Sequence, residues 1–232
     1  MYNDLMPINS YEIRICDSCG LRYPLLEGNP FGTRCPVCMG ETRVALSRQL
    51  IDEPNLTRLS ALNTKEKEKL RSDRSSQNLA VLLDNIRSAW NVGSILRSSD
   101  GFGFNHAYLC GITPTADNEA VTKTSLGAED SVPWSYHKDA VRLVKGLKVE
   151  GWKIYGLEED ARSISISHFP DSQFLKPAVL IVGNEVTGVD HELLDLCEEI
   201  FYIPMRGEKK SFNVAIAFGI AAYALSVHQL ES

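Results

Sequence analysis

The sequence predicts an α/β protein, in which a parallel sheet is flanked by helices and preceded by a small metal-binding module. From Leu79 onward, short continuous apolar runs alternate with segments of helical periodicity, a pattern typical of buried parallel strands joined by helices. Ahead of that region, four cysteines stand in two closely spaced pairs. A chain of 232 residues is long enough for one sizeable core and a small additional unit.

Two Cys-x-x-Cys pairs, Cys16 with Cys19 and Cys35 with Cys38, define the N-terminal module. Two intervening residues let the chain turn tightly, so two such pairs can supply the four tetrahedral thiolates that zinc prefers. Iron in a rubredoxin-like centre is the less favoured alternative. Two disulfide bonds are disfavoured because no secretory signal pattern precedes the cysteines. Four sulfurs leave no open coordination position, so the metal is expected to be structural.

The chain is expected to divide into three parts. Residues 1–45 form a zinc-ribbon-like module, residues 46–77 a polar linker or helical arm, and residues 78–232 the α/β domain. The two remaining cysteines, Cys110 and Cys197, lie in apolar runs of the α/β domain. They are predicted to be buried as small hydrophobic side chains.

Five apolar runs are predicted to form the strands, and four segments are predicted to form helices. The predicted strands have the sequences LAVLLD, HAYLCGI, WKIYGLE, AVLIVG and IFYIP. Apolar residues spaced three or four apart indicate the helices, because that spacing places them on one helical face. The predicted helices follow Asn91, include Val141 to Leu147, run from His191 to Glu199, and run from Asn213 to Gln229.

The net charge argues against a general basic surface for nucleic acid, and the hydropathy argues against a membrane span. The net charge of −6 rules out a general basic surface for nucleic acid, so RNA would have to be held by local clusters. Arg206, Lys209 and Lys210 form such a cluster, although a solvated loop has the same composition. The longest apolar stretch, residues 212–227, contains Asn213 and is shorter than the roughly 18–20 residues of a membrane span. No membrane association is expected, and a cytoplasmic location is favoured.

Ligands of open parallel sheets lie beyond the carboxyl ends of the strands. Three segments leave predicted strands at Gly156, Gly183 and Pro204, so these segments are expected to form the site. None of them carries the Gly-x-Gly-x-x-Gly pattern, and the usual dinucleotide cradle is therefore not predicted. Ser211 and Asn213 stand at a loop-to-helix junction, where they are also ordinary helix-capping residues.

Three sequence blocks carry a resemblance to a known family. The first is NVGSILR at residues 91–97 followed by DGFG at 100–103, the second is VGNEVTG at 182–188, and the third is IPM at 203–205 followed by SFNVA at 211–215. A minor block, SLGA, occupies residues 125–128. From Leu79 onward, the chain resembles the SpoU/TrmH branch of the SPOUT RNA methyltransferases. Phe212 stands where that family usually has leucine, which is a mild departure.

The resemblance implies transfer of a methyl group from S-adenosylmethionine to a ribose 2′-hydroxyl of tRNA or rRNA. It also implies a SPOUT domain with a C-terminal trefoil knot and a homodimer whose site lies near the subunit interface. The alternative is an RNA-binding protein of the same fold that does not transfer methyl groups. An electron carrier with a rubredoxin-like iron centre is a third hypothesis.

The resemblance and the position of the strand ends together predict the site residues. The predicted catalytic residues are Arg97, Asn91, Glu185, Ser211 and Asn213. The predicted cofactor-binding residues are Gly156, Leu157, Gly183, Asn184, Glu185, Gly188, Ile203, Met205, Ser211, Phe212, Asn213 and Val214. Arg97 matches an arginine often assigned as the base, but a charged guanidinium has no acceptor lone pair, so a positioning charge is the alternative. Gly93 is expected to leave room for a ligand beside Arg97, and Glu185 to hold Arg97 or Asn91.

Overall fold

The computed structural model describes residues 10–26, 32–49, 79–168, 177–208 and 211–230. The chain divides into two compact units, residues 1–68 and residues 69–232. Most of the predicted linker or arm, residues 50–77, lies outside the described residues. The predicted domain boundaries at residues 45 and 77 therefore stay predictions.

The N-terminal unit contains a three-stranded antiparallel sheet with the first strand in the middle. Its strands are β1 Ser10–Cys16, β2 Arg22–Leu26 and β3 Thr42–Gln49. Among the described residues of this unit, the buried apolar side chains are Cys16, Leu25 and Cys35. A core of this size contributes little to the free energy of unfolding, so units of this kind usually depend on a metal or on cross-links.

The C-terminal unit is built on a seven-stranded parallel sheet with the order β6-β5-β4-β9-β7-β10-β8. Its strands are β4 Leu79–Asp84, β5 His106–Cys110, β6 Trp134–His137, β7 Lys153–Leu157, β8 Ile164–Ser165, β9 Ala178–Val182 and β10 Glu199–Tyr202. Its described helices are α1 Ala89–Gly101, α2 Glu119–Ser125, α3 Ala128–Ser131, α4 Ala140–Val149, α5 His191–Leu194 and α6 Val214–Leu230. The predicted α/β class with a parallel sheet is confirmed.

Each of the five predicted strands is present, because each is an apolar run buried on both faces. Along β4, Leu79, Val81 and Leu83 belong to the core beneath α1 and α6, whereas Ala80 and Leu82 belong to the core beneath α4 and α5. A strand covered on both sides has no polar face, so its sequence is continuously apolar.

Two short strands and part of one helix differ from the prediction. The strands β6 and β8 form the two edges of the sheet, where only partial burial leaves mixed polar sequences without an apolar run. The helix predicted from His191 to Glu199 ends at Leu194, since Glu199 already begins β10. The short helices α2 and α3 also carry too few apolar residues for their periodicity to be recognised.

The helix α6 has 17 residues and an apolar surface on nearly all sides. Phe218, Ala221 and Ala222 are buried against the sheet, while Ile216 and Tyr223 are 55% and 60% exposed on the outer face. In the described part of the chain, no helix combines the length and the hydropathy that a bilayer span requires. The helix is therefore a core element with an additional exposed apolar face.

The order of the strands brings three loops together. The strand β9 lies between β4 and β7, and β10 lies on the other side of β7. All of these strands run in the same direction, so the carboxyl ends at Leu157, Val182 and Tyr202 meet at one edge of the sheet. The predicted ligand segments follow these three ends.

Candidate cofactor cleft and metal centre

A cleft of about 650 Å³ lies at the carboxyl ends of β7, β9 and β10. This volume is within the range of about 300–1,000 Å³ that is usual for small-molecule and cofactor sites. The residues that line it are Leu157, Glu158, Glu159, Val182, Gly183, Asn184, Glu185, Val186, Gly188, Phe201, Tyr202, Ile203, Pro204, Met205, Gly207, Glu208, Ser211, Phe212, Asn213, Val214 and Ala217.

The loop after β9 is a tight turn that only glycine permits at its base. A Cβ on Gly183 would lie 2.2 Å from the nitrogen of Val189 and 2.3 Å from the carbonyl carbon of Gly188. The backbone N–H of Asn184 donates to the carbonyl of Gly188 at 3.0 Å, and the N–H of Gly188 donates back at 2.9 Å. The side-chain oxygen of Asn184 accepts the N–H of Val186 at 2.9 Å. The turn is therefore rigid, and it presents its backbone closely to the cleft.

Side chains fix this turn to both neighbouring strands. The amide of Asn184 donates to the carbonyl of Asn85, just beyond β4, at 2.6 Å. On the other side, Oε2 of Glu158, just beyond β7, accepts the N–H of Val189 at 3.0 Å. The loops after three adjacent strands are thereby joined in one arrangement.

The carboxylate of Glu185 connects the turn to the start of α1. It accepts hydrogen bonds from the backbone N–H groups of Arg87 and Ser88, at 3.0 and 3.1 Å, and from the side-chain amide of Asn91 at 2.8 Å. Burial by itself raises the pKa of the Glu185 carboxyl. The hydrogen bonds from Arg87, Asn91 and Ser88 outweigh burial and hold that pKa below its ordinary value.

Asn213 extends this network to the third block. Its side-chain amide donates to Oδ1 of Asn91 at 3.1 Å, while its own Oδ1 accepts the N–H of Ala215 at 3.0 Å. Asn213 is therefore both the cap of α6 and a polar contact to α1, so the two interpretations of this residue are compatible. Asn91, Glu185 and Asn213, one from each sequence block, form a continuous hydrogen-bonded chain at the cleft.

All but one of the predicted cofactor-binding residues line the cleft. The exception is Gly156, which is buried in β7 and faces the opposite side of the sheet. A Cβ there would lie 3.2 Å from both Cys197 Sγ and Leu194 Cδ2. Gly156 thus lies in the predicted strand but outside the lining of the cleft, and its part in cofactor binding stays a prediction.

Of the predicted catalytic residues, Glu185, Ser211 and Asn213 line the cleft, and Asn91 contacts the first and last of these. Arg97 does not line the cleft and lies on the exposed side of α1. Within the described parts of the chain, no hydrogen bond or ion pair to its guanidinium is present. Glu185 holds Asn91 and not Arg97.

The space beside Gly93 is occupied by protein. A Cβ on Gly93 would lie 1.9 Å from Oγ1 of Thr124 and 2.5 Å from the carbonyl oxygen of Val121, both on α2. Gly93 therefore permits the close packing of α1 on α2, and the expectation that it leaves room for a ligand beside Arg97 was wrong.

Several lining residues were not predicted, and Glu158 is the most notable because its carboxylate fixes the turn after β9. It is the first polar residue after β7. The strand-end rule gives a signal for this position, but the contact partner follows only from the strand order. That β9 is the neighbour of β7 is visible only in the folded sheet.

In the N-terminal unit, the sulfur atoms of the four clustered cysteines lie close to one another. All four sulfurs lie within 4.8 Å of one another, with 3.4 Å between Cys16 and Cys38 and 3.7 Å between Cys19 and Cys35. A tetrahedral site with metal–sulfur bonds of about 2.3 Å has sulfurs about 3.8 Å apart. The cluster therefore has the dimensions of a four-sulfur metal centre, and zinc and iron fit it equally.

Each cysteine pair sits on the same kind of turn. The N–H of Gly20 donates to the carbonyl of Cys16 at 3.0 Å, and the N–H of Met39 donates to the carbonyl of Cys35 at 2.9 Å. Both turn residues have positive φ, 74° at Gly20 and 59° at Met39. The N–H of Cys19 donates to Cys16 Sγ at 3.4 Å and is the main cause that lowers the pKa of the Cys16 thiol to about 6. In the same cluster, the backbone N–H of Gly40 lowers the pKa of the Cys38 thiol, but the hydrogen bonds of Cys38 to Cys16 and Cys19 outweigh this and raise that pKa to about 12.

The C-terminal unit is similar in sequence to a family of known proteins. The model of the SpoU rRNA Methylase family matches residues 78–223. A tRNA (guanosine(18)-2'-O)-methyltransferase of Thermus thermophilus is 30% identical over 161 residues, which cover 68% of this chain and 79% of that protein. The 23S rRNA (guanosine(2553)-2'-O)-methyltransferase RlmP of Bacillus subtilis is 32% identical over 147 residues, covering 62% of this chain and 56% of that protein.

A solved structure supports the same relationship. The crystal structure of an AdoMet-bound rRNA methyltransferase from Sinorhizobium meliloti matches with a TM-score of 0.61 and 26% identity, covering 65% of this chain and 56% of that chain. The chain thus spans little more than half the length of that protein and of the Bacillus relative. The family model covers more than half of the chain, and the three sequence blocks of the chain meet at one cleft. This protein therefore belongs to the SpoU rRNA methylase family.

Proposed function

We propose that this chain is an S-adenosylmethionine-dependent methyltransferase that acts on a ribose 2′-hydroxyl of tRNA or rRNA. One observation supports this most strongly. Three distant sequence blocks supply Asn91, Glu185 and Asn213 to one hydrogen-bonded chain at the edge of a cleft of cofactor size. The named relatives methylate guanosine ribose in tRNA or rRNA. With such substrates, the expected location is the cytoplasm.

The cleft has the properties that S-adenosylmethionine requires. Its walls combine backbone exposed at Gly183 with apolar side chains such as Leu157, Ile203 and Val214, a combination that suits a flat adenine ring. The cofactor supplies a methyl group already activated by its sulfonium. The task of the chain is to hold the methyl carbon and the ribose hydroxyl in line.

The hydroxyl must lose its proton, and the contacts of the candidate residues restrict their roles. Glu185 is a poor base because its two oxygens already accept three hydrogen bonds, which lower its pKa. It acts by holding Asn91 and the start of α1. Asn213 holds Asn91 and caps α6, and Ser211, which also lines the cleft, is left to orient the ribose.

Arg97 is assigned the role of a fixed positive charge. Its position on the exposed side of α1 suits contact with an RNA phosphate, which a planar guanidinium can bind through two hydrogen bonds. A guanidinium remains protonated at neutral pH and is not a ready base. Arg97 therefore positions RNA, and with it the reacting hydroxyl.

A homodimer belongs to this proposal. The exposed apolar side chains Ile216 and Tyr223 on α6 form a surface of the kind that protein interfaces cover. Sedimentation at micromolar concentration should report about twice 25.8 kDa, and a clean monomer that methylates RNA would contradict it. The C-terminal trefoil knot implied by the family resemblance is also part of the proposal.

For the N-terminal unit, we propose one structural zinc per chain, held by the four clustered cysteines. Iron is the less favoured metal, and a red colour on purification would identify it. The four-sulfur set leaves no open position for substrate, so the metal serves folding and the presentation of the unit to RNA.

The function is tested by incubating the purified full chain with tritiated methyl donor and, separately, with bulk tRNA and bulk rRNA. Label should enter one RNA class, and nucleoside analysis should find it on ribose. Binding of RNA and cofactor without transfer would favour the alternative, an RNA-binding protein of the same fold. Mapping ribose methylation in a deletion strain would then identify the nucleotide.

The role of Arg97 is tested in the same assay. Arg97→Ala should reduce transfer by at least about a hundredfold, the usual scale for loss of one positioning or charge-stabilising group, while the affinity for S-adenosylmethionine stays unchanged. Arg97→Lys should recover little, because a point charge lacks the planar fork. Near-normal turnover of Arg97→Ala from pH 7 to 9 would return Arg97 to an ordinary surface residue.

A further inference from the structure

Glu158 occupies the junction of the three strand ends that form the cleft. Its backbone N–H donates to the carbonyl of Phe201 in β10 at 2.9 Å. Its side chain reaches the other way, where Oε2 accepts the N–H of Val189 at 3.0 Å. A single residue after β7 thus bonds to the neighbouring strand on one side and to the turn after β9 on the other.

The contact between Glu158 and the turn is closely packed. Val189 is only 3% exposed, so without the carboxylate its N–H would be buried and unpaired, which is costly. Gly188 has φ of 72°, and a Cβ there would lie 2.5 Å from Oε2 of Glu158. The turn is therefore shaped to receive this carboxylate directly against the backbone.

Glu158 is also one of the residues that line the cleft. Within the described lining, Glu158, Glu159, Glu185 and Glu208 are acidic, and no lysine, arginine or histidine is present. The carboxylate of Glu185 is hydrogen-bonded to the start of α1, whereas that of Glu158 accepts the backbone N–H groups of Val189 and, at 3.1 Å, of Glu159, both in loops that border the cleft. Of these acids, Glu158 is the one whose side chain fixes the glycine turn, so its charge is held in a defined place.

We propose that Glu158 is a positioning residue for the cofactor, which fixes the Gly183–Val189 turn and places a negative charge that favours the sulfonium cofactor over its neutral thioether product. The proposal rests on the proposed function, since it assumes that S-adenosylmethionine binds in this cleft. S-Adenosylmethionine carries one positive charge more than S-adenosylhomocysteine, and the two molecules otherwise differ by one methyl group. A nearby fixed carboxylate therefore attracts the substrate form more strongly, and its attraction is lost on transfer, which aids release of the product.

Two substitutions separate the charge from the hydrogen bond. Glu158→Gln is nearly isosteric and keeps an oxygen that can accept the N–H of Val189, but it removes the charge. Glu158→Ala removes both the charge and the acceptor. Glu150→Gln, at an exposed position after α4, is the charge-matched control away from the cleft.

Calorimetry on the full chain should measure both S-adenosylmethionine and S-adenosylhomocysteine. For Glu158→Gln, the affinity for the sulfonium should fall about tenfold, which corresponds to about 1.4 kcal/mol, while the affinity for the thioether changes about twofold or less. For Glu158→Ala, both affinities should fall about tenfold or more, and the melting temperature of the ligand-free protein should decrease. Glu150→Gln should match the parent protein in every measurement.

The outcomes distinguish this proposal from the function on which it rests. An unchanged ratio of the two affinities in Glu158→Gln overturns the charge effect, and parent-like binding by Glu158→Ala overturns the fixing of the turn. A parent protein that binds neither molecule would instead refute the proposed function. In turnover, Glu158→Gln should raise KM for the cofactor and leave kcat nearly unchanged, whereas a purely structural role would not alter the ratio of the two affinities.

Discussion

The two units of this protein build their sites in opposite ways. In the N-terminal unit, Cys16, Cys19, Cys35 and Cys38 gather four equivalent sulfurs from two short turns. In the C-terminal unit, backbone, amide and carboxylate groups that follow the ends of three strands line the cleft. Asn91 of α1, which is far from these groups along the sequence, is hydrogen-bonded to Asn213 in the lining. The first site depends on local turns and a metal, whereas the second depends on the order of strands in a completed sheet.

The largest expected effect follows from removing the metal. In the N-terminal unit, the described buried apolar residues are Cys16, Leu25 and Cys35, and two of these are proposed ligands. Binding of a structural zinc contributes about 10–16 kcal/mol to the folding of small metal-dependent domains. A strong chelator, or Cys35→Ser, should therefore unfold this unit while the parallel sheet remains folded.

The contrast between the units provides the control for that experiment. Elemental analysis should give one zinc in the parent protein and none in Cys35→Ser. Backbone amide spectra should lose the dispersed signals of β1 to β3 and retain those of β4 and β9. Cys110→Ser, a matched change at a buried cysteine outside the cluster, should leave the metal content unchanged. Full retention of metal by Cys35→Ser would contradict the four-sulfur centre.

The next effect is expected at the base of the glycine turn. Gly183→Ala should weaken cofactor binding by about tenfold to a hundredfold, because its Cβ would meet the Val189 nitrogen at 2.2 Å and overpacking costs about 1–3 kcal/mol. Gly146→Ala is the matched control, since a Cβ there meets nothing within 4 Å. In the interior of α4 it should stabilise the protein by about 0.5–1 kcal/mol. Unchanged cofactor affinity in Gly183→Ala would show that the turn is not part of the site.

The same contrast explains what the sequence could predict. The cysteine spacing identified a complete set of metal-ligand candidates, because local turns alone bring those sulfurs together. The five buried strands were predictable because burial on both faces leaves a continuous apolar run. Edge strands β6 and β8, which are only partly buried, carry no such signal.

The direction of individual side chains and the order of the strands in the sheet could not be predicted from the sequence. Gly156 was expected near the cofactor, but it faces Cys197 on the opposite side of the sheet. The contact of Glu158 with the turn after β9 could not be predicted from the sequence. The strand β8 lies between β7 and β9 along the chain, although β7 and β9 are neighbours in the sheet. The space beside Gly93 is filled by α2, and the sequence around Gly93 does not indicate this packing.

A smaller, pH-dependent effect is expected from the network that joins the sequence blocks. Glu185 has a folded-state pKa below its ordinary value, because hydrogen bonds outweigh burial. The stabilisation by this carboxylate is therefore complete above the unfolded pKa of about 4.3 and is lost as pH falls through the folded pKa. The difference in free energy of unfolding between parent and Glu185→Gln should be on the order of 1 kcal/mol at pH 7 for this solvent-exposed group, and it should shrink below pH 4.

Urea unfolding at several pH values measures this difference, with Glu192→Gln at an exposed position of α5 as a control for a general loss of charge. A difference that stays constant down to pH 3 would mean that the carboxylate charge of Glu185 does not matter to the network. A difference that grows toward low pH would reverse the assigned direction of its pKa.

The smallest expected effect compares the two cysteine turns with each other. They share a hydrogen bond and a left-handed residue, but Gly20 occupies that position in one and Met39 in the other. A residue with a Cβ costs about 1–2 kcal/mol in this conformation, whereas glycine loses about 0.5–1 kcal/mol through its freer unfolded chain. Met39 is 57% exposed, so its side chain loses little contact when removed. Met39→Gly should therefore stabilise the unit by about 0.5–1 kcal/mol, and Gly20→Ala should destabilise it by a similar amount. A Cβ on Gly20 would meet nothing within 4 Å, so the second change reports backbone conformation alone.

Competition with a graded series of chelators measures both effects as shifts in the concentration that removes half of the metal. If both substitutions shift this concentration in the same direction, backbone strain does not distinguish the two turns. If they shift it in opposite directions, the metal centre is held by two turns of unequal strain, and the second turn is the weaker one.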